Sequence, residues 1–158
     1  MRATKTWASR GAYGGLRHRD PSRRHMIDCS AACLVAQIIA AFVAEYRQSS
    51  SIDASQTRLY EVLREACYAL AFVTPDGNNA RVPLKELLRD PAPIADYDFV
   101  ELRRLIHTLW RAEHWNYHCI ESGVNPVGEA VRSGTLQAIS QRLGDLVEAA
   151  SAAADDGA

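Results

Sequence analysis

The sequence predicts an all-α fold, a single-domain bundle of about five helices preceded by a basic, irregular N-terminal arm. Apolar residues recur at helical spacing in every long segment. No stretch of useful length alternates apolar and polar residues as a strand would. Clusters of Gly, Pro, Ser, Asn and Asp separate the periodic segments. With 158 residues, 47% hydrophobic and 23% charged, the chain can bury one core and is too apolar to be wholly disordered. No internal repeat is evident.

Residues 1–25 lack a sustained period and contain Gly11, Gly14, Gly15 and Pro21, so they read as the arm. The helical domain spans 26–148, starting near Met26, where apolar periodicity sets in. Its first helix runs from Asp28 or Ser30, each a good N-cap, to about Arg47. Nearly continuous apolar and small residues mark it as the central helix. Gln48 to Ser51 form a linker. A second helix starts at Asp53 or Ser55 and continues to about Phe72, with Leu59, Val62, Leu63, Ala66 and Leu70 inward and Arg58, Glu61, Arg64 and Glu65 outward. The turn formers of 74–79 stop it. Pro83 opens a short helix to Leu88, and Asp90 to Pro93 break the chain again.

The longest pattern extends from Asp96 or Asp98 to about Ile120, with Leu102, Leu105, Ile106, Leu109, Trp110, Tyr117 and Ile120 on its core side. A short helix from Val127 to Arg132 closes at Gly134. The last helix, with Thr135 as its cap, buries Leu136, Ile139, Leu143 and Val147. Residues 149–158 are expected to fray.

Charge is unevenly spread. The totals, 18 Lys+Arg against 19 Asp+Glu, give −1 and exclude a uniformly basic nucleic-acid protein. The arm nevertheless holds Arg2, Lys5, Arg10, Arg17, Arg19, Arg23 and Arg24 against Asp20, so it carries +6 and the remainder −7. Arg17, Arg19, Arg23 and Arg24, interleaved with His18 and His25, are candidates for nucleic-acid contact through phosphates. The acidic body suits a cationic groove on a protein partner, through Asp90, Asp96, Asp98, Glu101 and Glu121.

Cys29, Cys33, Cys67 and Cys119 are too few for a disulfide scaffold and read as reduced thiols in a cytoplasmic protein. The apolar run from Ala31 to Ala44 follows basic residues as a signal-peptide core would. Asp20, Asp28 and Gln37 interrupt the pattern, however, and the run is too short for a membrane span, so a buried helix with no membrane partner is expected.

His107, His114 and His118 share one helix stripe with Arg104 and Arg111, opposite the apolar arc. His114 and His118 have metal-ligand spacing, the basis of a metal-dependent enzyme alternative. Two flanking cations disfavour a metal, and Trp115 stands where the helical zinc proteases need Glu. The stripe therefore reads as a partner-facing surface. Cys29 and Cys33 lie one turn apart among alanines and are expected as small buried thiols. No nucleophile elbow or phosphate-binding glycine loop is present, so no catalytic residue, metal or cofactor is assigned.

The order Arg111, Glu113, His114, Trp115, then Ser133, Gly134, Leu136, Ile139, Arg142 and Leu143, with Tyr60, Tyr68, Phe72, Val73 and Pro75 upstream, resembles an uncharacterised family of small helical bacterial and phage domains over about residues 55–145. The resemblance implies origin in a bacterium or its mobile elements and carries no activity with it. The functional expectation is a non-enzymatic interaction protein, in concrete form a phage or mobile-element inhibitor of a host nucleic-acid-handling complex, as anti-CRISPR proteins are. Nucleic-acid binding by the arm is the alternative, and a homodimer is compatible with the apolar first helix.

Overall fold

The computed structural model describes residues 28–49, 57–73, 82–118 and 125–155; the side chains of 115–118 and 155 fall outside that description, as does the whole arm. All regular structure among the described residues is helical. The elements are α1 (Cys29–Gln48), α2 (Arg58–Ala69), α3 (Leu84–Leu87), a 3-10 turn (Ala92–Asp96), α4 (Phe99–His118), α5 (Pro126–Arg132) and α6 (Thr135–Asp155). The fold is the expected all-α bundle, with six α-helices described where about five were expected.

Asp28 caps α1 by accepting the Ala31 amide at 3.0 Å. The helix buries Ala32, Val35, Ile39, Phe42 and Tyr46, but it is not enclosed as its all-round apolarity suggested. Leu34, Gln37, Ala40, Ala41 and Ala44 are exposed, because alanine costs little to leave in water. Among the described helices α1 alone is long and apolar enough to cross a membrane; 44% of its apolar window is buried in the bundle. Its most extensive contact is with α6. At that seam Ser140 Oγ donates to the Ala36 carbonyl at 2.8 Å, and Arg47 donates to Gln137 at 2.9 Å.

α2 is rotated relative to the sequence expectation. Tyr60, Leu63 and Cys67 are buried, Leu59, Ala66 and Leu70 half-buried, and Val62 turned outward with 45% of its surface exposed. The core lies on the side where α4 brings Trp110, whose ring meets Tyr60 edge-on at 5.4 Å. α2 ends at Ala69, short of Phe72, because Ala71 adopts a left-handed φ of 57° and the Val73 amide returns to the Cys67 carbonyl. It starts at Arg58 behind an extended Thr57, later than the expected Asp53 or Ser55, which themselves lie outside the described residues.

α4 begins with a reciprocal capping box. Asp98 accepts the Glu101 amide and Glu101 accepts the Asp98 amide, both at 2.8 Å. Leu102, Leu105, Ile106, Leu109 and Trp110 are buried as expected. α5 starts at Pro126 behind Asn125, which accepts the Gly128 amide at 2.8 Å. It stops at Gly134, where φ is 85°. Thr135 is not the cap of α6: its buried hydroxyl donates to the Leu87 carbonyl at 2.9 Å and meets Ser133 Oγ at 2.8 Å, tying α3 to the α5–α6 corner. Residues 149–155 continue α6 rather than fraying at 149, since this alanine-rich run has high helix propensity even where it is exposed.

Two helix–loop–helix units share one layout of contacts without a repeat in the sequence. Glu45 on α1 accepts the Leu59 amide, 14 residues on, at 3.0 Å, and Glu113 on α4 accepts the Val127 amide, 14 residues on, at 3.0 Å. Each amide is the second of its helix, behind Thr57 and Asn125 respectively. Each following helix carries an i,i+3 ion pair, Glu61–Arg64 in α2 and Glu129–Arg132 in α5. Phe42 and Trp110 hold the equivalent buried aromatic position.

Candidate functional site

The surface residues singled out from the sequence divide into two groups that meet on α4. Asp90, Asp96, Asp98 and Glu101 are all exposed and follow one another along the chain from the turn before the 3-10 segment to the first turn of α4. Three of these carboxylates are fixed by backbone amides: Asp90 accepts the Ala92 amide at 3.0 Å, and Asp98 and Glu101 form the capping box. No arginine or lysine among the described residues forms an ion pair with any of the four. This segment is anchored to α6 through the Arg142 guanidinium, which donates to the Tyr97 carbonyl at 2.8 Å. Burial, reinforced by Glu101, pushes the Tyr97 hydroxyl above its usual pKa range, so it stays neutral beside the carboxylates.

Further along α4 come Arg104, His107, Arg111 and His114. Arg104 and His107 are half-buried and Arg111 and His114 exposed, so the stripe faces outward only in part. Burial, with Arg111 adding repulsion, lowers the pKa of His107 below its ordinary 6.5, which leaves the ring neutral at pH 7. The side chain of His118, the residue Glu121, and Arg17, Arg19, Arg23 and Arg24 lie outside the described residues.

The cysteines depart from expectation. Cys29 and Cys33 are half-exposed, and Cys33 Sγ accepts the Gln37 amide at 3.4 Å; of the three described cysteines only Cys67 is buried. Its thiol is pushed up to about 11 by burial, partly offset by a hydrogen bond from the Trp110 indole. Among the described residues no three His, Cys, Asp or Glu side chains converge in a way that could hold a metal. A shallow groove of about 170 Å³ between α1 and α6 is floored by Ala40, Val43 and Ala44 and rimmed by Arg47, Gln137 and Ser140. That lining supplies no nucleophile paired with a base.

Sequence reasoning missed the polar cluster inside the bundle. The Glu113 carboxylate takes the Tyr60 hydroxyl at 3.2 Å as well as the Val127 amide. Tyr46, buried, receives the Arg132 guanidinium on its hydroxyl at 3.0 Å. The Tyr60 hydroxyl is raised above its usual range, first by burial and then by the charge of Glu113. The signal that could have found this cluster is the equal spacing of Glu45 and Glu113 from the following helix starts.

No family model matches the chain, and no curated protein or solved structure is significantly similar to it.

Proposed function

We propose that this chain is a non-enzymatic binding protein whose working surface is the run of carboxylates Asp90, Asp96, Asp98 and Glu101, offered to a cationic groove on a protein partner. One observation carries the reading: three of the four carboxylates are held by backbone amides, and none is neutralised by a basic side chain of the described residues. Fixed, unpaired negative charges lose little freedom on binding and complement arginines that normally hold phosphates. The concrete form is an inhibitor of a cytoplasmic nucleic-acid-handling complex, of the anti-CRISPR kind. It is supported by the chain's segregated charge, the absence of a catalytic motif in its sequence and the resemblance to bacterial and phage domains. No cofactor is required.

The test is affinity capture from a bacterial lysate with the tagged full chain, with and without nuclease, beside a variant carrying Asp90→Asn, Asp96→Asn and Glu101→Gln. A protein captured despite nuclease, displaced by duplex DNA and lost in the neutralised variant is the expected result. Capture that nuclease abolishes, or that the neutralised variant retains, overturns the proposal; the first outcome makes the basic arm the binding element.

A further inference from the structure

The outer face of α4 has a charge pattern complementary to its own inverse. Glu101, Arg104, Thr108 and Arg111 recur at spacings of three, four and three residues opposite the buried stripe, forming one ridge about 15 Å long. Glu101 and Arg111, at its ends, are exposed; Arg104 and Thr108, between them, are half-buried. Neither Arg104 nor Arg111 takes part in an ion pair among the described residues, and the Glu101 carboxylate is engaged only with a backbone amide.

We propose that this ridge pairs antiparallel with the same ridge of a second copy, about a two-fold axis that crosses the ridge midway between Arg104 and Thr108. The spacing reads the same in both directions, so an inverted copy meshes in register. Glu101 then faces the partner's Arg111, and Arg104 faces the partner's Thr108, each twice. A parallel arrangement would set Glu101 on Glu101 and Arg111 on Arg111, so charge selects the antiparallel one. Nucleic acid is a poorer fit, because Asp98 and Glu101 would stand against its phosphates beside the arginines. A uniformly charged protein surface mismatches one end of the ridge. Exposed ion pairs are individually weak and screened by salt, so association by this face is reversible and salt-sensitive. The pairing goes beyond the proposed function, although Glu101 serves both surfaces and the second copy competes there with a partner.

The experiment is sedimentation equilibrium of the full chain over a concentration series at low and high salt. A dimer that loosens with salt is expected. Arg111→Glu and Glu101→Arg should each weaken it by about tenfold or more, because each places two like-charge contacts across the axis. Combining the two reversals should restore the dimer. Arg111 lies away from the capping box, so its variant keeps the fold even if Glu101→Arg frays α4, and circular dichroism verifies both. A wild-type chain that stays monomeric, a dimer indifferent to Arg111→Glu, or a double variant that stays dissociated overturns the proposal. So does an oligonucleotide retarded by the monomer in an Arg111-dependent way. Replacing Asp90 and Asp96 by Asn should leave the dimer intact while weakening partner capture, which separates failure of this pairing from failure of the proposed function.

Discussion

Glu113 holds Tyr60 by its hydroxyl at 3.2 Å and, with its other carboxylate oxygen, holds the Val127 amide at 3.0 Å, so one half-buried side chain joins α2, α4 and the start of α5. Glu45 closes the α1–α2 connection in the same way through the Leu59 amide, with Arg58 at 3.9 Å. Each carboxylate satisfies a helix-start donor and places negative charge at the positive end of the helix dipole.

Replacing Glu113 by Leu should therefore cost about 1–3 kcal/mol, since it leaves the Val127 amide and the Tyr60 hydroxyl without this acceptor in a partly buried place. Tyr60→Phe alone should cost about 1 kcal/mol. Urea unfolding of both single variants and the double variant should give a coupling of about 0.5 kcal/mol or more. Strict additivity would show that the two side chains do not act together.

The helices and the described core positions of α4, Leu102 to Trp110, and of α6, Leu136, Ile139 and Leu143 with Val147 half-buried, were readable from sequence because hydrophobic period acts locally; Tyr117 as a side chain and Ile120 lie outside the described residues. The rotation of α2 was not readable. Val62 and Leu63 are equally apolar neighbours, and which of them faces inward depends on the partners that tertiary packing brings, α1 with Phe42 and α4 with Trp110. Thr135 was misread for a similar reason, since its hydroxyl is claimed by Leu87, 48 residues away. On the candidate surface, the exposure of the four carboxylates was legible, but the backbone amides that fix three of them depend on turn geometry. The layout shared by the α1–α2 and α4–α5 units is carried by a few spaced residues rather than by continuous identity, so no sequence period marks it.

Gly128 lies beneath the Tyr46 hydroxyl, where an added Cβ would stand at 3.0 Å from that oxygen and 3.2 Å from Asn125. Gly128→Ala should destabilise the native protein, because it displaces the hydroxyl that receives Arg132 and crowds the α5 cap. In a Tyr46→Phe background the clash with the hydroxyl disappears. There the same substitution should cost less, with up to about 1 kcal/mol recovered through the better helix propensity of alanine. Thermal unfolding of the four combinations checks the reversal, and an equal loss in both backgrounds would exclude Tyr46 as the cause.

Ala71 occupies the left-handed region, with φ of 57°, where a Cβ costs about 1–2 kcal/mol and glycine nothing. It is exposed, and its hydrogen bonds are all made by its backbone: the amide donates to the Tyr68 carbonyl at 3.2 Å and the carbonyl accepts from Arg103. Ala71→Gly should raise stability by about 0.5–1 kcal/mol, a little below the steric gain because glycine loosens the unfolded chain. A denaturation midpoint that moves down would indicate that the methyl group packs usefully against the turn.

His107 gives stability a definite pH sign. Folding lowers its pKa below 6.5 through burial and Arg111, so in the acid range the unfolded chain binds a proton that the folded chain resists. Its contribution is complete above pH 6.5 and is lost as pH falls through the lowered value. Denaturation midpoints measured from about pH 8 to about pH 5 should fall less steeply for His107→Gln than for the native chain. Parallel curves would assign the acid loss to the carboxylates instead.

Cys67 should be the slowest of the three described thiols to react. Its pKa of about 11 and its burial leave little thiolate near neutrality, whereas Cys29 and Cys33 are half-exposed on α1. Thiolate is the reactive form, and a rise from 9.0 to about 11 reduces it about a hundredfold before access is considered. In a Cys119→Ser background, Ellman's reagent should label Cys29 and Cys33 quickly and Cys67 only at the rate at which the bundle opens. Mild denaturant should accelerate that last phase in step with unfolding, while the first two labels change little. If Cys67 reacts as fast as Cys33 in the native protein, the α2–α4 contact around Trp110 is open in solution, and the packing that turns Val62 outward is not the resting state.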